Sequence, residues 1–435
     1  MWKKLGLSGL LILLFSTSAL FLAWREIRRS GMPQRTGSAR FDGLREAVEV
    51  RFDEWGVPDI EADSLLDAVA AQGWLHANDR MTQMELGRRS AAGRLAEVVG
   101  EVALPLDRAS RTLRLRETAE KLLTWASPES RSALEAYASG VNAWIRSRGK
   151  DLPPGLRLLR IEPEPWTPAD SLSFVLLMAS DLSFWQGRPE EERFAWLRAF
   201  GEEKLRDLLG EEDLQISGDL LELAEKPQPQ AASAAMARSP TRDASAPPLL
   251  GSNGWVLGGS RTAGGVPLVA NDPHLGLHLP SVWYQVLIRS PEYEAAGMSL
   301  PGLPGVVIGR SPDLAWAFTN TMLDDHDLYF EELDARGLEV RRGDSFVPLE
   351  VREEEIAVRG GDPVPLTLYT TDRGPLLPAD PQRGLPPRSL AWTMYLPSDP
   401  LSAFLALARA RTLDEVPVAV AGYVAPAQNL MVGHR

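Results

Sequence analysis

Apolar residues recur at helical spacing through the first half of the chain. From Ser64 to Val99 they fall on one face of a helix, and Asp63 or Ser64 is suited to cap its start. A short strand pair precedes this helix near residues 47–60. The same spacing predicts further helices at residues 117–124, 128–146, 168–182 and 190–209. The first half is therefore predicted to be mainly helical.

The second half changes to short runs of strand-forming residues separated by Gly and Pro, a pattern typical of strands joined by turns. Strands are predicted at residues 254–257, 266–270, 282–289, 305–308, 314–319, 327–333, 346–359 and 365–371. A helix is predicted at residues 400–411, and a last strand begins near residue 429. Together the two halves predict an α+β protein.

The long first helix carries a polar segment, residues 76–85, although the helix otherwise has the pattern of a buried element. Burying charged groups is unfavourable unless they are paired. One interpretation is an internal salt-bridge network, and the other is a direct catalytic role. The network would join Asp79, Arg80 and Glu85 to Arg88 or Arg89.

The bulk composition of the 435 residues excludes several classes of function. A formal net charge of -13 argues against a nucleic-acid partner, because a phosphate-binding surface needs a basic excess. The chain has no cysteine, which excludes disulfides, thiol catalysis and cysteine-ligated metals.

The N-terminus predicts export. Lys3 and Lys4 precede an apolar run over residues 5–24, which is close to the roughly 20 residues that a membrane-spanning helix needs. No cleavage site of the small-x-small type stands out after it, so residues 1–30 are predicted to be a membrane anchor or uncleaved signal. Basic residues flank both ends of the run and leave its orientation open. A periplasmic or other extracytoplasmic location follows.

A seam divides the two halves. Residues 226–248 have no hydrophobic periodicity and are typical of an exposed spacer or a plain interdomain linker. Gly251-Ser252-Asn253-Gly254-Trp255 follows immediately. Its residues suit an ordinary turn, but Ser252 could also become a nucleophile at the start of a new chain if the preceding bond were cut.

Familiar catalytic signatures are missing. Ser252 is not in a Gly-x-Ser-x-Gly elbow, and no phosphate-binding loop or dinucleotide fingerprint occurs. His274 and His278 are four residues apart, but Pro and Gly break the helix that would direct both to one zinc. The carboxylates of residues 324–327 repel one another, which suits either a calcium site or a solvated turn.

Taken in order, several segments of the chain resemble the penicillin acylase family of N-terminal nucleophile (Ntn) hydrolases. The resemblance covers about residues 45–435. The matching segments are Trp55 to Ile60, His76 to Glu85, Ala91 to Glu97, Pro163 to Pro168, Gly251 to Trp255, Asn271 to Leu275, Leu300 to Gly305, and Ala315 to Thr321.

The resemblance implies a four-layer αββα sandwich made from a self-cleaving precursor. Residues 31–225 would form a mostly helical small-subunit region, residues 226–251 a removable spacer, and residues 252–435 the first part of the large subunit. The cut would fall between Gly251 and Ser252. The two subunits would then stay together as partners.

The resemblance also implies roles for single residues. Ser252 would supply the nucleophilic hydroxyl, and its freed α-amine, with a reference pKa of roughly 7.7–8, would act as the base. His274 would contact the amine and hydroxyl of that serine. A backbone N–H at Asn320, or at its neighbour Thr321, would stabilise the oxyanion.

The resemblance further implies a metal site and an acyl pocket. Calcium would be the cofactor, structural in role, and no organic cofactor is expected. Its ligands would be Glu190, Asp324, the carbonyl of His326, and Asp327. The acyl pocket would be lined by Phe184, Leu275 and Phe318, for each of which core packing is an alternative role.

Family enzymes carry a side-chain oxyanion donor and a further calcium ligand beyond the point that corresponds to Arg435. A C-terminal portion of the large subunit is therefore expected to be missing. Two functions remain open. One is a self-processing acylase that hydrolyses the amide of N-acyl compounds such as β-lactam side chains, acyl-homoserine lactones or lipopeptides. The other is an inactive, truncated, membrane-anchored remnant that binds an acyl ligand or a partner without catalysis.

Overall fold

The structure, a computed structural model, describes residues 17–18, 21, 32–183, 187–210, 216, 218–225, 251–276, 278–321, 323–381 and 384–435. Three predicted features lie outside them: residues 226–250 of the spacer, Phe184, and nearly all of the anchor at residues 5–24. Among the described residues, no helix is both long enough and apolar enough to cross a bilayer.

The helices agree with the apolar spacing, and Ser64 caps the first of them by accepting a hydrogen bond from the Asp67 N–H at 3.1 Å. The helices are α1 (Leu65–Ala91), α2 (Ala96–Val99), α3 (Leu104–Thr112), α4 (Leu115–Trp125), α5 (Pro128–Arg148), α6 (Pro154–Leu159), α7 (Pro168–Ser183), α8 (Gly187–Leu209), α9 (Gly218–Glu225), α10 (Pro400–Arg409) and α11 (Val416–Ala419). The prediction of one helix to Val99 was wrong, because Gly93 takes a φ of +61° and turns the chain after α1.

The strands confirm the β character of the second half. They are β1 (Glu49–Phe52), β2 (Pro58–Glu61), β3 (Gly251–Leu257), β4 (Leu268–His274), β5 (Tyr284–Ser290), β6 (Tyr293–Ser299), β7 (Ile308–Arg310), β8 (Leu314–Asn320), β9 (His326–Phe330), β10 (Glu339–Arg342), β11 (Ser345–Pro348), β12 (Glu350–Ile356), β13 (Val364–Thr371), β14 (Gly374–Leu377), β15 (Arg388–Trp392) and β16 (Gln428–His434). The predicted strand at residues 346–359 divides into β11 and β12, which belong to different sheets.

A seven-stranded sheet in the order β1-β2-β5-β6-β7-β8-β16 forms the centre of the molecule. Its core side packs against helices α1, α4, α5, α7 and α10, with Trp316 of β8 among the buried residues. The hairpin of β3 and β4 packs on the opposite face, where Gly254 approaches Thr319 and Met431. A five-stranded sheet, β12-β13-β14-β15-β9, lies beside this stack. The described residues thus form an α+β fold.

The polar segment of α1 does not form one network. Glu85 is fully buried and accepts from Arg89 Nε at 2.9 Å, and it also pairs with Arg88. Asp79 instead pairs with Arg35, and Arg80 donates to the Ser281 carbonyl. The predicted network is therefore confirmed around Glu85 and wrong for residues 79 and 80. Because Glu85 has two arginine partners, its buried charge is balanced.

Other polar residues of the helical layer hold one loop, residues 300–307, which we call the floor loop. Gln72 accepts from the Gly305 N–H at 2.8 Å and donates to the Gly305 carbonyl at 2.9 Å. Tyr137 Oη accepts from the Gly302 N–H at 2.9 Å. Both side chains are fully buried, so the backbone of the loop finds its partners inside the protein.

A buried histidine extends this set of contacts. His76 Nδ1 lies 2.7 Å from Tyr137 Oη, and His76 Nε2 lies 3.0 Å from Ser299 Oγ. The Ser299 hydroxyl donates to the Tyr284 carbonyl, so it accepts from His76 Nε2–H, and Nδ1 accepts from Tyr137. Burial lowers the pKa of His76 to about 3, which keeps the ring neutral as this arrangement requires.

We predict that Tyr137→Phe destabilises the protein more than Tyr293→Phe. The first change leaves His76 Nδ1 and the Gly302 N–H without a partner, whereas the second orphans only the Val306 N–H. Each orphaned buried group costs about 1–3 kcal/mol. Urea denaturation should therefore show about twice the loss of unfolding free energy for Tyr137→Phe. Equal losses would contradict the bonding pattern.

Candidate active site

Ser252 is held at the end of a hairpin that contacts the central sheet. It is the second residue of β3 and pairs with Pro273, while Gly251 pairs with His274. A Cβ at Gly254 would lie 2.2 Å from Met431 Cε, so a larger residue there would require the flexible end of the Met431 side chain to move. The sequence around Ser252 therefore forms a strand, and the interpretation as a turn was wrong.

Asn271 fastens this hairpin to β8. Its Nδ2 donates to the carbonyl of Asn253 at 2.9 Å and to the carbonyl of Phe318 at 3.0 Å. Its Oδ1 accepts from the Phe318 N–H at 3.3 Å. One amide side chain thus ties together β3, β4 and β8. We call this set of contacts the Asn271 clamp.

The Ser252 hydroxyl faces the bond that precedes it. Ser252 Oγ donates to the Gly251 carbonyl oxygen at 2.7 Å, and the side chain is half-buried. His274 lies across the hairpin, with Nε2 at 3.0 Å from Asp272 Oδ2 and 3.2 Å from Asn253 Nδ2. A weak nucleophile and an imidazole therefore flank the same peptide bond.

An apolar pocket opens beside Ser252. The space between its walls, including the part open to solvent, is about 640 Å³. Helix α7, the floor loop, β8 and α10 each contribute side chains to the walls. The lining residues are Val175, Met178, Leu182, Ser252, Pro273, Leu275, Trp283, Leu300, Leu303, Val307, Ile308, Phe318, Asn320, Phe404, Tyr423, Pro426 and Gln428. An apolar pocket with a few polar groups at its walls is the usual form of a small-molecule site.

The structure brings four of the predicted site residues to this pocket: Ser252, Leu275, Phe318 and Asn320. Asn320 ends β8, and its Nδ2 donates to the Leu182 carbonyl at 3.0 Å. Thr321 follows, and both its N–H and its hydroxyl donate to the Ala427 carbonyl, at 3.5 and 3.1 Å. Asn320 is therefore the better placed of the two towards the pocket.

The predicted calcium ligands lie between α8 and β9. Burial raises the pKa of Glu190 to about 7, and the nearby charges of Asp324 and Asp327 act in the same direction. Glu190 Oε2 is buried and has no hydrogen-bond partner in the described part of the chain. The His326 ring bonds to Asp325 Oδ1 at 3.1 Å. The predicted calcium ligand at this residue is the backbone carbonyl, not the ring.

These residues fit calcium in the type of their ligands but not in their spacing. An unpaired carboxylate oxygen among like charges suits a hard cation. However, no three His, Asp or Glu side chains within the described ranges are close enough together to hold a metal ion. The same absence applies to a zinc site at His274 and His278.

The sequence did not reveal the Asn271 clamp or Tyr423. Asn271 lies within a segment that carries the family resemblance, but its contacts join strands that are distant in sequence. Tyr423 lies in a loop after α11 that has no distinctive pattern. Its place in the pocket depends on long-range packing against Phe318 and Phe404.

We predict that Asn271→Ala loosens the hairpin. The change removes three hydrogen bonds, so backbone hydrogen exchange in β3 and β4 should accelerate by about 5- to 30-fold, which corresponds to about 1–2 kcal/mol of local stability. Asn429→Ala is the matched control, because Asn429 bonds to Thr319 and not to the hairpin. Unchanged exchange in Asn271→Ala would disprove the clamp.

Comparisons with known proteins indicate the family to which the chain belongs. The family model for penicillin amidase matches residues 47–435. The acyl-homoserine lactone acylase QuiP of Pseudomonas aeruginosa is 36% identical over 375 residues, which are 82% of this chain and 43% of that protein. Penicillin acylase 2 proenzyme of a Pseudomonas species is 34% identical over 372 residues, 83% of this chain and 47% of that protein. The chain thus spans about half the length of these curated relatives.

A solved structure of thermostable penicillin G acylase from Alcaligenes faecalis aligns with 42% of this chain and 33% of its own, at 24% identity and a TM-score of 0.38. That structural likeness is too limited to support statements about the site. The match of the family model over nearly the whole chain is sufficient by itself: the chain belongs to the penicillin amidase family.

Proposed function

We propose that the chain is the precursor of an N-acyl amide hydrolase in which Ser252 is the nucleophile. The observation that carries the proposal is the position of Ser252, with its hydroxyl against the Gly251 carbonyl and an apolar pocket beside it. Relatives are named as acyl-homoserine lactone acylase and penicillin acylase, and one of them as a proenzyme. These names support both the amide chemistry and the maturation.

Maturation would begin with addition of Ser252 Oγ to the Gly251 carbonyl carbon. The Gly251–Ser252 C–N bond breaks as the ester forms, and the serine nitrogen takes up a proton. Water then hydrolyses the ester to give a Gly251 carboxylate and a free Ser252 amine. His274 would assist these proton transfers, and its position opposite Gly251 in the hairpin supports that role.

In the mature enzyme, the α-amine of Ser252 would accept the hydroxyl proton while Oγ adds to the substrate carbonyl. The N–H of Asn320 would stabilise the oxyanion. The leaving amine takes the proton as the C–N bond breaks, and water then hydrolyses the acyl-enzyme. The acyl group would lie against Leu275 and Phe318. Phe184 stays in the proposal as a further wall residue.

The finer architecture is part of the same proposal. A helical layer, the seven-stranded sheet and the β3–β4 hairpin are three successive layers that would fit the four-layer αββα sandwich of an Ntn hydrolase. Residues 226–251 would be the released spacer, and residues 5–24 would anchor the protein outside the cytoplasm.

We predict that Ser252→Ala abolishes maturation. Intact-mass measurement of the wild-type chain should detect a fragment that begins at Ser252, whereas the variant stays in one piece. Ser260→Ala is the control, because it alters an exposed serine eight residues further along the chain. Processing of Ser252→Ala to the same extent as the wild type would overturn the proposal.

A panel of para-nitroanilides of aliphatic and aromatic acids tests catalysis directly. Hydrolysis by the wild type that is lost in Ser252→Ala supports the acylase. An uncut wild-type chain that hydrolyses none of the panel would instead support a non-catalytic acyl-binding protein.

Calcium remains a second proposal, in which Glu190, Asp324 and Asp327 would move closer together around the ion as carboxylate ligands and the His326 carbonyl would be a fourth. After treatment with EDTA, added Ca²⁺ should raise the midpoint of thermal unfolding, because an ion that binds only the folded state stabilises it. Glu190→Gln should remove most of the increase. Mg²⁺ is the control ion, since it demands a smaller octahedral site. An equal response in Glu190→Gln would exclude Glu190 as a ligand.

A further inference from the structure

One wall of the apolar pocket contains a phenol group that has no hydrogen-bond partner among the described residues. Tyr423 lines the pocket together with Phe318 and Phe404. Its ring stacks on that of Phe318, with centroids 6.3 Å apart and planes 21° apart, and meets Phe404 edge-on at 5.8 Å. The Tyr423 N–H donates to the Val420 carbonyl at 3.0 Å. The ring is therefore fixed in position by its neighbours.

The hydroxyl of Tyr423 contrasts with those of other interior tyrosines. Within the described residues, Tyr423 Oη makes no hydrogen bond, and burial alone raises its pKa. Other interior tyrosine hydroxyls bond to protein groups: Tyr137 to His76 and Gly302, Tyr284 to Asp79, Tyr293 to Val306, and Tyr395 to Leu113. A buried tyrosine hydroxyl normally has such a partner.

The surroundings of Tyr423 suggest where its partner would come from. Tyr423 Oη has no hydrogen-bond partner among the described residues, yet it is not sealed from solvent. Open space therefore adjoins it. The neighbouring walls are apolar: Phe318, Phe404, Leu303 and Val307. Because its pKa is raised, the hydroxyl stays protonated and can donate at any ordinary pH. The pocket thus combines apolar walls with a phenol donor.

We infer that Tyr423 selects acyl chains that carry an oxygen, as a hydroxyl or a ketone, within an otherwise aliphatic chain. The inference rests on the proposed function only in taking this pocket as the acyl site. An oxygenated chain would satisfy the phenol donor, whereas a plain chain would leave it unpaired. A site that forms a hydrogen bond with its ligand discriminates between ligands more strongly than an apolar site that distinguishes them by one methylene group.

Tyr423→Phe tests the inference, because it removes only the hydroxyl and keeps the ring contacts. We would measure dissociation constants of decanoic acid and of its hydroxy derivatives at the third, fifth and tenth carbon. Binding of at least one hydroxy acid should weaken by roughly 3- to 10-fold relative to decanoic acid in the variant. Because both ligands are measured on the same variant, effects of the substitution that are common to the two ligands cancel in the ratio of their dissociation constants.

Tyr395→Phe is the matched control, because its hydroxyl bonds to Leu113 and Tyr395 does not line the pocket. It should leave the ratio of the dissociation constants unchanged. An unchanged ratio in Tyr423→Phe, or the same change in Tyr395→Phe, would overturn the inference. Binding of free acids does not require turnover, so failure to hydrolyse any amide would defeat the proposed function and leave this measurement valid.

Discussion

The central constraint on this molecule is the need to satisfy the backbone of the floor loop, which crosses the interior. An unpaired N–H or carbonyl in such a place is costly. Gln72 and Tyr137 from the helices, with Tyr293 and Trp316 from the sheet, provide hydrogen-bond partners to this backbone. Because the side chains of Leu300, Leu303 and Val307 then form one wall of the pocket, the polar residues of the core determine the shape of an apolar site.

A second constraint acts from the other side of the sheet. The Asn271 clamp binds the hairpin to the backbone of Phe318, and the side chain of Phe318 lines the pocket. Phe318 therefore connects the hairpin that carries Ser252 to the wall of the pocket. Gly254 leaves room for the Met431 side chain, which would have to shift if residue 254 carried a Cβ. The position of Ser252 relative to the pocket therefore depends on the contacts of β3 and β4 with β8 more than on Ser252 itself.

Local patterns predicted local structure well and distant contacts poorly. The helix start at Ser64 and the strands β8 and β13 could be predicted because spacing and capping act over a few residues. Strand β6 was missed, because Ala295, Ala296 and Gly297 give little strand signal, although Ala295 is buried in the core. The resemblance placed Leu275, Phe318 and Asn320 near Ser252, and the structure gathers them at one pocket. The clamp joins Asn271 to residues 18 and 47 positions away, and Tyr423 packs against rings 19 and 105 positions away, contacts that no local pattern encodes.

Other long-range contacts explain how a cut before Ser252 could leave the molecule in one piece. Strand β2 pairs in parallel with β5, so a strand from before the seam and one from after it belong to one sheet. Gln72 bonds to Gly305, and Arg111 to Glu354, across the same divide. The Gly251–Ser252 bond itself lies in a largely exposed hairpin. Breaking it would remove one covalent link while the shared core, which holds α1 and α7 against β5, β6 and β8, stays intact.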